Sequence, residues 1–141
     1  MAIASRLQKT LLWGAVVLLF VSPAFAAGAP PANPEHGRQI YAECAGCHAM
    51  TENGMGPLHC GLVGRRAGSV PGFAYSEVMR ESRIVWTPEK LGEFLKSPLS
   101  YLPGTNMGYD GLYDARDRAD LIAFLQLATT DVSACGTSAP Q

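Results

Sequence analysis

The chain reads as a small all-α domain whose three main helices are joined by long Gly/Pro-rich loops. Three observations predict this. Three segments open with helix-capping residues and then carry apolar stripes at helical spacing. No stretch alternates apolar and polar residues as a strand does. Glycine and proline punctuate the connections, at Gly54, Gly56, Pro57, Gly61, Gly64, Gly68, Pro71 and Gly72 in the longest one.

The chain begins with Arg6 and Lys9, then the apolar run LLWGAVVLLFV from Leu11 to Val21, then Ala24-Phe25-Ala26. A short cationic segment, an apolar stretch brief for a bilayer span and an Ala-x-Ala site predict a secretory signal over residues 1–26, cleaved after Ala26. The alternative is an uncleaved N-terminal anchor, and in either case the remainder is exported. Removing 26 of 141 residues leaves 115, the size of one small domain, and takes away two positive charges, so the formal net charge goes from −1 to −3. With no basic stripe, nucleic acid is not an expected partner. Residues 27–32, AGAPPA, form a flexible leader; the domain proper covers 33–130, and 131–141 is a polar tail.

Asn33-Pro34-Glu35 starts the first helix with an Asn cap, a proline at the first helical position and an acid in the first turn. Gly37, Ile40, Tyr41 and Cys44 then fall on one face. The loop from Met50 to Gly72 is long enough that it is either disordered or wrapped around something. Ser76-Glu77 begins a short helix. Thr87-Pro88-Glu89 repeats the cap-proline-acid start, and Leu91, Phe94 and Leu95 make a buried stripe until Ser97-Pro98 ends it. A second loop runs from Ser97 to Gly111. The last helix has Asp114 and Asp117 near its start and Leu121, Ile122, Phe124, Leu125 and Ala128 on its apolar side. These helices carry too little apolar surface for an ordinary bundle, so something else must fill the middle.

Cys44-Ala45-Gly46-Cys47-His48 supplies the candidate, because Cys-x-x-Cys-His is the attachment signal for c-type haem. At a helix end, residues i and i+3 share a face, so both sulfurs reach the two vinyl-derived carbons of one porphyrin edge. His48 follows where its imidazole can reach the iron. A thiol–disulfide motif would need a βαβ setting, and a zinc site a second pair of ligands; the sequence has neither. One haem c, held through Cys44 and Cys47, is the expected cofactor.

The sixth iron position is assigned to Met107, a thioether in the stiff loop LPGTNMGYDG. Methionine opposite histidine raises the potential and leaves no open position for a substrate, which suits electron transfer. Met50, Met55 and Met79 are read as core filler. His36 and His59 are read as ordinary surface or loop residues.

Together these residues resemble the class I cytochrome c family, in the long-chain form of the mitochondrial protein and its purple-bacterial relatives. The likeness runs from about Asn33 to Thr130 and rests on GPLHCGLVGRRAGSVPGFAYS, VWTPEKLGEFLKSPLSYLPGTNM and RADLIAFL beside the pentapeptide. It implies the cytochrome c fold, with loops wrapped around one haem. It further implies that the Pro57 carbonyl accepts the imidazole N–H of His48. Arg65, Tyr75 and Trp86 match the family's donors to the haem propionates, and Thr105 is retained beside the methionine ligand. Gly37 and Tyr41 would pack on Leu121 and Phe124 where the first and last helices cross, and Tyr109 would stand beside the exposed haem edge. The expected function is a monomeric, exported one-electron carrier with no substrate of its own and no stable membrane insertion. It would dock transiently, through the haem edge, on electron-donor and electron-acceptor proteins. The signal points to a bacterial periplasm.

The sequence departs from the family at Phe94 and Met79, where a tyrosine and an asparagine often hold a buried water near the methionine. A drier pocket and a firmly held Met107 follow. Lys90 and Lys96 are the only lysines after the signal, so the docking site on the partner is expected not to be strongly acidic. Cys60 and Cys135 remain. In an oxidising compartment a left-over pair in a small domain forms a disulfide more often than two free thiols, and by the family fold the last helix passes near the Cys60 loop. A redox-active Cys60–Cys135 switch is one rival reading, and a haem enzyme or gas sensor in which Met107 detaches is another.

Overall fold

The computed structural model describes residues 30–135. The predicted signal, the first half of the leader and the end of the tail lie outside the described residues. Among the described residues six helices follow one another: α1 (Pro34–Cys44), α2 (Glu77–Glu81), α3 (Pro88–Lys96), α4 (Pro98–Tyr101), α5 (Ala115–Ala128) and α6 (Val132–Cys135). No strand occurs among the described residues; the only β-type pairing is an isolated bridge between Arg66 and Val85.

The caps behave as the sequence expects. The Asn33 side chain accepts from the Glu35 and His36 N–H groups, Thr87 from Lys90, and Asp114 from Arg116 and Asp117. Two short helices are additions to the sequence reading. Ser97-Pro98 ends α3, but proline at N1 also suits a helix start, so α4 begins at the residue that stops α3. In the predicted tail, the Asp131 side chain accepts from the Ser133 N–H at 2.8 Å and opens the single turn of α6. The described end of the leader is tied to α5: the Arg116 guanidinium donates to the Pro30 and Pro31 carbonyls, each at 2.6 Å.

α1 crosses α5 so closely that a Cβ on Gly37 would collide with the backbone of Asp120 and Leu121. Tyr41 packs on Phe124, ring centroids 5.1 Å apart. Asp120, only 2% exposed, joins the two helices. Its carboxylate accepts from the Asn33 N–H at 2.7 Å, contacts His36 Nδ1 at 3.0 Å and pairs with Arg116 Nε at 3.1 Å. These hydrogen bonds hold the Asp120 carboxyl below its ordinary pKa, the Asn33 N–H contributing most.

The long loop is wrapped and not loose. Gly64 N–H donates to Trp86 O, Trp86 N–H to Arg65 O, and Ala67 N–H to Ile84 O, which pins residues 64–67 along 84–86. Gly61 N–H reaches the Thr129 carbonyl at the end of α5. Buried Leu91, Phe94 and Leu95 of α3 and Leu121 and Leu125 of α5 face a shared interior, which the helices enclose only in part.

Candidate functional site

That interior is a cavity of about 640 Å³, within the size range of small-molecule and cofactor sites. Its floor is apolar, from Leu62, Met79, Leu91, Phe94, Leu95, Leu121 and Leu125. Each residue assigned a haem role from sequence lines it: Cys44, Cys47, His48, Pro57, Arg65, Tyr75, Trp86, Thr105 and Met107, with Tyr109 at the side.

The local backbone explains the placement. α1 ends at Cys44, and both the Cys47 and His48 N–H groups donate to the Cys44 carbonyl, at 3.0 and 2.9 Å, so the pentapeptide folds back as a tight turn. The Gly56 N–H donates to the Cys47 carbonyl at 2.8 Å and draws the next loop onto the turn. There Pro57 O lies 2.8 Å from His48 Nδ1, as accepting from that N–H requires; this fixes the tautomer and leaves Nε2 free to bind a metal. A Cβ on Gly56 would collide with Nδ1, Cε1 and Nε2 of the same imidazole, so only glycine lets the loop approach.

The polar groups stand on the opposite chemistry. Arg65 donates from Nη1 to the Cys60 carbonyl (2.6 Å) and from Nη2 to Leu58 (2.8 Å), bracing the loop, while burial lowers its pKa and makes an anion welcome beside it. Tyr75 packs edge-on against Phe73, and Trp86 lies 5.0 Å from Phe94. Thr105 Oγ1 accepts from the Met107 N–H at 3.3 Å. Phe94 and Met79, the two positions where the family often has polar groups, are 4% and 8% exposed and present only apolar surface.

The thiols discriminate between readings of the pentapeptide. Burial, then the charges of Glu43 and Cys47, push the Cys44 thiol up to about 11, the reverse of the low value that a redox dithiol uses. Among the described residues no three His, Cys, Asp or Glu side chains gather as a metal site. Haem fits on an independent observation. Ser76 Oγ is buried in the cavity wall with no hydrogen-bond partner, although a bare buried hydroxyl costs about 1–3 kcal/mol. A carboxylate-bearing cofactor would satisfy it.

An all-α shell whose loops close on one apolar cavity, with a Cys-x-x-Cys-His turn in its wall, defines a protein that carries haem covalently. The family model described as Cytochrome c matches residues 34–128, and the chain belongs to the cytochrome c family. Cytochrome c2 of Rhodomicrobium vannielii is 40% identical over 111 residues, 77% of this chain and 86% of that protein. Cytochrome c2 of Rhodopila globiformis is 43% identical over 101 residues, covering 70% and 95%. The structure of cytochrome cH from Methylobacterium extorquens aligns with a TM-score of 0.67 at 33% identity, covering 68% of this chain and 99% of that one. The family holds one haem c through paired cysteines, and Cys44 and Cys47 fit that attachment. Membership makes the chain a monohaem electron carrier.

Some residues escape the sequence reading. Ser76 reads there only as part of a helix start; it stands at the N-cap of α2, yet its hydroxyl caps nothing. His59, read as an ordinary loop residue, lies in the cavity wall, where burial, then His48 and Arg65, bring its pKa down to about 3. Met55, read as core filler, is 77% exposed at the cavity mouth. Met79 is buried and Met50 packs on the core's edge. Cys60 and Cys135 stand with Cα atoms 5.4 Å apart, inside the span that a disulfide bridges, while Cys44 and Cys47 are unbridged.

Proposed function

We propose that the protein is an exported one-electron carrier between larger redox partners, with His48 and Met107 as the residues that would bind its haem iron. The carrying observation is that both ligand types, an imidazole with its second nitrogen on a carbonyl and a thioether in a Pro-Gly loop, line one cavity of one chain. When bound, haem supplies a one-electron couple. The chain's residues do the rest. Pro57 strengthens His48 as a ligand. Arg65, Tyr75, Trp86 and the orphaned Ser76 hydroxyl would meet the propionates, which buried without partners would be costly. The apolar floor excludes water, and Thr105 steadies the Met107 backbone.

The same reading holds that the signal is cleaved after Ala26 and that the mature chain works as a periplasmic monomer, neither an enzyme nor membrane-inserted. No helix among the described residues is long and apolar enough to cross a membrane. It docks through the rim beside Cys47, Met55 and Tyr109, on partners whose docking sites are not strongly acidic. Cys60 and Cys135 form a bridge; a free-thiol count of two in the unfolded, unreduced holoprotein would exclude it.

Visible spectra of the exported holoprotein test the ligand set. A weak long-wavelength sulfur-to-iron band in the oxidised form, with no response of the reduced form to carbon monoxide, is expected. An absent band with ready carbon monoxide binding would hand the site to the enzyme or sensor reading.

A further inference from the structure

The His59 ring stacks on the His48 ring, with centroids 4.3 Å apart and planes inclined by 20°. Its Nδ1 is hydrogen-bonded to the Tyr41 hydroxyl at 3.1 Å, and Tyr41 is itself buried against Phe124 of α5. Its backbone N–H donates to the Ala49 carbonyl at 3.0 Å, one residue past His48. The second imidazole is thus tied through backbone, ring edge and ring face, and what it presents to its neighbour is a plane.

We propose that His59 is a positioning residue for His48: its ring, steered by Tyr41, sets the rotation of the His48 imidazole and so that imidazole's orientation toward the bound haem. The inference rests on the reading of His48 as an iron ligand. The Pro57 carbonyl restrains His48 at a single atom, and one hydrogen bond leaves a ring free to swing about the line between donor and acceptor. A flat neighbour at stacking distance removes that freedom. The close Gly56 backbone limits how far the ring can retreat. An aliphatic side chain at position 59 would fill the volume but offer no plane to match. The Tyr41 bond carries the restraint back to α1, the helix that presents the cysteines.

The test is proton NMR of the oxidised holoprotein, in which the haem-methyl and His48 ring signals are displaced by the unpaired electron according to the orientation of the axial imidazole. His59→Leu is expected to reorder the haem-methyl shifts. Tyr41→Phe, which removes only the hydroxyl, displaces them in the same direction by less. His59→Phe, which keeps a flat ring, stays nearer the unsubstituted pattern than His59→Leu. An unchanged pattern in His59→Leu overturns the proposal. Should that variant fail to assemble, an unchanged pattern in Tyr41→Phe, which breaks the hydrogen bond to His59, overturns it equally. Absence of displaced histidine signals in the unsubstituted protein would refute the ligand reading, and the inference with it; that failure is told apart because it needs no variant.

Discussion

The crossing of α1 and α5 and the wall of the cavity meet opposite demands. At the crossing the chain completes itself: a glycine lets the backbones touch, and the buried Asp120 has the Asn33 N–H, His36 and Arg116 as partners. In the wall the chain stops short. Ser76 Oγ has no partner, Arg65 loses proton affinity to burial, and leucines from two helices line a space of about 640 Å³. The crossing is a finished interface; the wall is half of one, which a bound haem would complete.

Removing attachment should separate the two regions most. In a Cys44→Ser/Cys47→Ser double variant, amide hydrogen exchange is expected to lose most protection across residues 50–76, while amides of α1 and α5 remain the slowest. Uniform loss would erase the distinction. Next comes the crossing itself. Gly37→Ala drives a methyl into the Asp120 carbonyl and should destabilise the holoprotein by more than about 3 kcal/mol in denaturant unfolding, since backbone on both sides cannot yield.

Ser76→Ala sharpens the contrast at lower cost. It should destabilise the holoprotein by about 1–2 kcal/mol while leaving the haem-free double variant unchanged or slightly more stable, because there the hydroxyl has no partner to lose. Equal effects on both forms would remove the propionate role. The smallest effect is in pH. Asp120 is held below its ordinary pKa in the fold, so its contribution is present above the unfolded-state value near 3.8 and disappears as pH falls through the lower, folded value. Replacing Asp120 with Asn should flatten that acid limb of a stability–pH curve and leave the neutral limb parallel.

What the sequence made legible was local or covalent in origin. Asn33-Pro34-Glu35 and Thr87-Pro88-Glu89 state their helix starts within three residues, and Cys44 through His48 carry their spacing on their face. The apolar stripes disclosed a core that was too small, which pointed to a cofactor before any geometry. What stayed hidden was tertiary. His36 meets Asp120 across 84 positions, and no local pattern pairs them. Ser76 reads as the start of a short helix; only its burial among cavity residues reveals the idle hydroxyl. His59 looks like loop until the turn at His48 brings the rings together. Ser97-Pro98 signals a stop, and the start it also provides depends on where the chain turns next.

The clasp between Asn33 and Asp120 joins positions 87 residues apart. A chain emerging N-terminus first therefore exposes Cys44, Cys47 and His48 well before the residue that fastens the first helix to the last has appeared. That contact cannot form until α5 is present. The fold thus behaves as a box whose hasp is made last, and the thiols stay within reach of an attaching machinery until the final helix arrives to shut it.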